Sequence, residues 1–261
     1  MSKRVDFSTN APVYDRRHGA VVSNDELSHL WETAALPANA HVLDVGAGTG
    51  RVAIPVAGRG CTVVAIEPAF GMLEQLRVKD HDQLLRAVGG EGAALPFSAE
   101  AFDVVVVARL LYLTADWKEI LQEVHRVLSA GGCLLHQWGN GDADECWVQI
   151  RDEARRLFED AGVRAPFHPG ARSESAIDQY LGSLGFIPEA NIAMGAGPET
   201  TIREFLRRLA AGELSYIWRV PAEIRASTLP VLHAWVEGRY DLDQLTTMPR
   251  ELRWSIHRKP A

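Results

Sequence analysis

An acid, three glycines at alternate positions and a second acid lie near the start of this chain: Asp44, then Gly46, Gly48 and Gly50, then Glu67. Glycine lets a backbone turn tightly and approach a ligand closely. The residues beyond the glycines read as a helix, whose first N–H groups are free and whose dipole is positive at that end. Such a turn holds nucleotide-like ligands, and its spacing chooses among them. A dinucleotide fingerprint is G-x-G-x-x-G, but here the run is G-x-G-x-G and Arg51 occupies the place of the third glycine. Asp44 precedes the first glycine by two positions. Its charge repels a pyrophosphate and attracts a ligand that carries an ammonium and a sulfonium. Glu67 can accept both hydroxyls of a ribose. Dinucleotide sites use an acid in the same way, so Glu67 alone does not discriminate.

The elements that must position these residues alternate. A helix over Ser23–Leu36 is capped by Ser23, Asn24 or Asp25 and ended by Pro37. Short strands are predicted over His41–Val45, Thr62–Ile66 and Leu84–Val88, with helices over Thr49–Ala57 and Ala69–Val78 between them. The run FDVVVVARL, Phe102–Leu110, is unbroken apolar text, as expected of a strand covered on both faces. An amphipathic helix over Trp117–Leu128, capped by Thr114 or Asp116, ends before Gly131-Gly132, and a strand follows over Cys133–Trp138. After Gly139 helical text dominates: Asp144–Glu159, Ser175–Leu184, Thr201–Ala210 and Ala222–Glu237. Pro230 should kink or break the last of these. Two more strands, Phe186–Met194 and Glu251–His257, should complete the sheet, the last one antiparallel. The expectation is an α/β fold: a doubly wound, mostly parallel seven-stranded sheet with a helical cover. Its parts are a polar N-terminal segment and a helix over 1–36, a glycine-turn core over 37–140, and cover helices plus the last two strands over 141–261.

The stretches VLDVGAGTGR, VVAIEPAFGML, VGGEGAALPF, FDVVVVARLLYL and LQEVHRVLSAGGCLL, in this order, resemble the successive motifs of class I S-adenosylmethionine-dependent methyltransferases. The similarity is greatest to the small-molecule branch that includes the ubiquinone and menaquinone C-methyltransferases, and it covers about residues 10–138. It implies S-adenosylmethionine as cofactor and S-adenosylhomocysteine as product. By position, it implies that Asp44 and the backbone of Gly46, Ala47, Gly48 and Gly50 hold the methionine end, and that Glu67 binds the ribose. Pro68 and Met72 would line the adenine, and Glu91 would meet its amino group beside Gly92. The family often has Asp and Ala at those last two positions. Arg109 would face the methionine moiety, and Tyr14 and Arg17, in YDRRHG, resemble the segment that closes over the cofactor.

Methyl transfer asks the protein mainly to align nucleophile, methyl and sulfur and to exclude water, so no catalytic triad is required. Candidates near the chemistry lie at the carboxyl ends of strands. His136 has the right kind of pKa for a base, or else is a hydrogen-bonded histidine in a helix–sheet interface. Tyr112 and Trp138 could stack on a flat or aromatic acceptor, or simply pack. The nine histidines show no HxxxH or HExxH pairing, and no catalytic metal is expected. Cys61, Cys133 and Cys146 have no CxxC spacing and make neither a disulfide framework nor a zinc site. A net charge of -7 argues against a nucleic-acid partner. No apolar run reaches the roughly 18–20 residues of a membrane span, and the N-terminal text lacks the apolar core of a secretory signal, so a cytoplasmic protein is expected, as monomer or homodimer. The expected activity is methyl transfer to a small-molecule acceptor. The alternatives are a protein that binds the cofactor without transfer, an NAD-dependent oxidoreductase, and a methyltransferase acting on protein or nucleic acid.

Overall fold

A computed structural model describes residues 7–8, 11, 14, 21–138, 145–164, 168–194, 199–214, 217–247 and 253–261. Helix α1, Asn24–Thr33, starts where Ser23 Oγ accepts the Glu26 N–H at 3.1 Å. Then come β1 (His41–Val45), α2 (Ala53–Ala57), β2 (Thr62–Glu67), α3 (Phe70–Lys79), β3 (Leu85–Gly89), β4 (Phe102–Ala108), α4 (Trp117–Val127) and β5 (Leu128–Gln137). Helix α5, Glu145–Asp160, and helix α6, Glu174–Ser183, precede β6, Ile187–Ala193. The chain goes on through β7 (Glu199–Thr201), α7 (Ile202–Ala210), α8 (Ala222–Glu237), β8 (Leu245–Thr247) and β9 (Arg253–Arg258).

Seven strands form one sheet in the order β3-β2-β1-β4-β5-β9-β6. The pairs β1/β2, β2/β3, β1/β4 and β4/β5 are parallel. β9 runs antiparallel to β5, with His136 opposite Ser255 and Gln137 opposite Trp254. The expected doubly wound, mostly parallel sheet is therefore present, with its antiparallel final strand. Val104 to Val107 are fully buried because helices cover both faces of β4. The strand order reverses between β1 and β4, and at such a reversal two neighbouring loops part and leave a crevice at the carboxyl ends of the strands. The glycine turn lies there.

The chain divides into two compact units: residues 1–139, 170–192 and 253–261 in one, 140–169 and 193–252 in the other. The first has a core in which Leu43, Val105, Val107 and Leu134 meet Leu121, Val124, Ile177 and Leu181. The second is organised around Trp147, Phe158, Phe205, Leu209 and Leu232.

Several local expectations need correction. The helix expected over Thr49–Ala57 is regular only from Ala53, because Gly50 has φ +83 and a left-handed residue cannot sit inside a right-handed helix. The strand expected from Cys133 begins at Leu128 and passes through Gly131, at φ +72, with a register shift against β4. α8 continues through Pro230, so of the expected kink or break the break does not occur. Ile224 and Leu229 before the proline and Leu232 and Val236 after it pack on the second unit's core, which offsets the lost backbone bond. The β7/β8 ribbon, with three residues in each strand, was not anticipated. Segments this short show no period to read. The expected strand start at Glu251 falls outside the described residues.

Candidate functional site

The turn after β1 is drawn onto β2 by the Gly46 and Ala47 N–H groups, which donate to Ile66 O at 2.9 and 3.1 Å. Gly46, Gly48 and Gly50 take φ of +72, +56 and +83, the left-handed region that glycine enters without strain. A Cβ at Gly46 would stand 2.8 Å from Leu110, and one at Gly50 2.8 Å from Ile54, so both glycines also let the turn pack closely. At Gly48, among the described residues and beyond its chain neighbours, no atom lies within 4 Å of that position.

Glu67 ends β2 and is nearly buried. Its carboxylate accepts the Gly48 N–H at 3.0 Å on one oxygen and the Ala69 N–H at 2.9 Å on the other. Burial pushes its pKa up, the two amides oppose that, and Glu91 adds to the rise. An acid fixed from both sides at the lip of the turn suits the recognition of a vicinal diol, which offers two hydroxyl donors.

Asp44 is 2% exposed. Burial pushes its pKa up to about 7; a hydrogen bond from the Ala53 backbone pulls it down, Glu67 raises it, and Arg51 lowers it. A ligand cation placed here would restore the charge that burial disfavours.

Two arginines complete the arrangement. Arg109 follows β4 with φ +57, unusual for a residue with a side chain, and its N–H donates to Gln137 O at 2.8 Å. Burial works against its charge, but Tyr112, which hydrogen-bonds the guanidinium, and Tyr14 hold its pKa above the ordinary value. Burial pushes the Tyr14 phenol up in turn. The Arg51 guanidinium donates to Gln137 Oε1 at 3.0 Å; burial, followed by the neighbouring Arg109, lowers its pKa. Gln137 Nε2 stands 3.5 Å from Glu26 Oε1, which accepts the Trp254 indole N–H at 2.6 Å. The fixture of the glycine turn thus runs from Arg51 through Gln137 and Glu26 to Trp254 in β9. Sequence reasoning missed Glu26, Gln137 and Trp254 as part of the site and saw Arg51 only as a non-glycine. Ser23-x-x-Glu26 carries the text of a helix-capping box, a signal that Glu26 belongs to α1's start, but its side chain turns to the sheet instead.

The other residues read from the sequence are placed as follows. Met72 is buried in the first turns of α3. The Gly71 N–H donates to Ser8 Oγ at 3.3 Å, which brings Ser8 onto the start of the same helix. Glu91 stands close enough to Glu67 to act on its charge. A Cβ at Gly92 would meet Val45 at 2.8 Å, so this loop closes on β1. Arg17 lies outside the described residues. Tyr112 joins Arg109 and meets Trp138 edge-on, with ring centroids 5.6 Å apart.

His136 is separated from the Gln137 cluster by strand alternation, which sends neighbouring side chains to opposite faces. It is fully buried; Nδ1 lies 3.2 Å from Ser255 Oγ, and Nε2 has no partner among the described residues. Burial, then His257, pulls its pKa down to about 4, against Asp178 on α6. Asp178 itself lies 3.4 Å from His257 Nε2. The unfolded chain takes up this proton below about pH 6.5, whereas the folded chain takes it up only near 4. Stability therefore falls with pH across that interval, by up to about 3 kcal/mol. Denaturant unfolding at pH 7, 6, 5 and 4 checks this. His136→Gln should flatten the profile, and a variant profile parallel to the wild type would refute the assignment.

Among the described residues, no group of three or more His, Cys, Asp or Glu side chains could hold a metal, and no helix is long and apolar enough to cross a membrane.

The seven-stranded, mostly parallel sheet with its glycine turn after β1 has the Rossmann-like methyltransferase fold. Residues 43–136 match the family model of the methyltransferase domain. The chain is 34% identical to a demethylmenaquinone methyltransferase of Renibacterium salmoninarum over 138 residues, which are 49% of this chain and 55% of the relative. It is 32% identical to a 2-phytyl-1,4-naphthoquinone methyltransferase of Thermosynechococcus vestitus, covering 48% and 59% of the two chains. The chain thus spans little more than half the length of these curated relatives. Among solved structures, a methyltransferase from Bacillus halodurans superposes with a TM-score of 0.65 at 20% identity, over 91% of this chain and 100% of that one, and shares the fold.

Proposed function

We propose that this protein transfers a methyl group from S-adenosylmethionine to a small-molecule acceptor. The observation that carries the reading is the pair of buried acids, Asp44 and Glu67, on either side of a glycine turn that has Arg51 where a dinucleotide site needs glycine. The donor set fits the cofactor. Glu67 would accept the ribose hydroxyls, Asp44 would face the ammonium, and Arg109, with Arg51 behind it, would face the carboxylate. When bound, S-adenosylmethionine supplies a methyl group on a positively charged sulfur, activated without help from the protein. The chain's own task is then positioning and the exclusion of water. Arg109 is held by Tyr112 and by the Gln137 carbonyl, so it presents one orientation. The charge at Asp44 and the low-dielectric walls favour a cationic ligand over a neutral or anionic one.

The quinone-type relatives support a flat-ring acceptor, and Tyr112, half-buried and packed edge-on against the core residue Trp138, is the aromatic side chain that would meet one. Calorimetric titration with S-adenosylhomocysteine, with NAD as control, tests the cofactor. Binding of the first in the micromolar range and none of the second is expected. Binding of NAD alone would overturn the reading.

A further inference from the structure

Gly170 lies outside every motif discussed so far, yet it meets the turn that carries Tyr112. Its N–H donates to Tyr112 O at 3.1 Å, and the next N–H, of Ala171, donates to Leu111 O at 2.9 Å. These consecutive amides grip consecutive carbonyls. A Cβ at Gly170 would overlap the Leu111 carbonyl oxygen and stand 2.6 Å from that of Tyr112. Its neighbours there are backbone atoms, which cannot swing aside as a side-chain tip can. Only glycine allows the approach.

The gripped turn is short. Arg109 enters it in the left-handed region, and the Leu113 N–H closes it on Leu110 O at 2.8 Å. Within it, Tyr112 hydrogen-bonds the Arg109 guanidinium and packs edge-on against Trp138. The position of the 111–112 peptide therefore sets where the phenol meets Arg109. We infer that Gly170 and Ala171 form a backbone clamp that positions Tyr112, and through it Arg109, for cofactor binding. Gly170 is a positioning residue and touches no ligand itself. The inference rests on the reading that Arg109 faces the cofactor.

The test is a double-mutant cycle on S-adenosylhomocysteine affinity. Gly170→Ala should weaken binding about tenfold, and Tyr112→Phe, which removes only the hydroxyl, about fivefold. Together they should weaken it no more than the larger single change. Gly182→Ala, where the added carbon meets no atom of another part of the described chain within 4 Å, should bind as the wild type does. Losses that multiply, or a Gly170→Ala variant of unchanged affinity, would overturn the clamp. If Gly170→Ala does not fold, Ala171→Pro deletes one donor without adding a Cβ at 170, and the same outcomes decide. Should the wild type bind no S-adenosylhomocysteine, the cofactor reading fails, and hydrogen exchange without ligand judges the clamp. Faster exchange across residues 109–113 in the variant supports it, and unchanged exchange sinks it.

Discussion

Glu67→Ala is expected to fold and to lose about 100- to 1,000-fold in affinity for S-adenosylhomocysteine, or roughly 3–4 kcal/mol. The carboxylate is held by the Gly48 and Ala69 amides at 3.0 and 2.9 Å. A ribose would therefore meet an acceptor already oriented, at no further cost in side-chain freedom. Removing it takes away two charge-assisted hydrogen bonds and frees the turn at Gly48. Glu67→Gln keeps the shape and one acceptor, and should lose only about tenfold. Calorimetry on the three proteins checks the series. A Glu67→Ala affinity within about threefold of the wild type would remove Glu67 from the ligand site.

The second large effect belongs to Asp44 and has opposite signs for folding and for binding. In the folded, ligand-free protein its pKa is about 7, against an ordinary 3.8. The folded state therefore holds a proton that the unfolded state has already lost, and this group gains stability as pH falls from 8 towards 5. The change is about 2–4 kcal/mol, with Glu67, Arg51 and the Ala53 amide as the groups that face it. Binding needs the charged form. Affinity for S-adenosylhomocysteine should therefore fall about tenfold between pH 8 and pH 6, with uptake of ligand at pH 6 releasing close to one proton. Asp44→Asn should be the more stable protein at pH 8, and should bind weakly with no pH dependence over that range. Titrations in buffers of different ionisation enthalpy count the proton. A pH-independent wild-type affinity would contradict the assignment. Below about pH 6.5 the His136 effect works against the gain at Asp44.

These expectations draw on parts of the molecule that were unequally legible in the sequence. β1, β2, the glycine turn and Glu67 could be read because one local stretch holds strand, turn and acid together, and each element declares itself by composition. The strand β4 was plain from its unbroken valines. The supports of the turn were not, because they are made by distant residues of ordinary type. Gln137 meets Arg51 across 86 positions, and Trp254 meets Glu26 across 228. No periodicity marks such pairs. Gly170 was silent for a similar reason, since its meaning lies in the carbonyls it touches. His136 could be read as base or as packing, and only the alternation of β5 shows that it faces away from Gln137. Pro230 shows the reverse case, in which a strong local signal yields to tertiary contacts.

The place of β9 between β5 and β6 has a consequence for synthesis. The glycine turn, Glu67 and Arg109 are all synthesised before β5 is finished at Gln137, but β9 begins only at Arg253. At about 5–20 residues per second that gap lasts on the order of ten seconds. Throughout it β5 presents an open edge carrying the apolar Leu134 and Leu135, and Glu26 waits for its indole partner. The nascent chain thus possesses the binding sequence long before it possesses the brace for Arg51. The glycine turn therefore gains its full support only when β9 is threaded into the sheet.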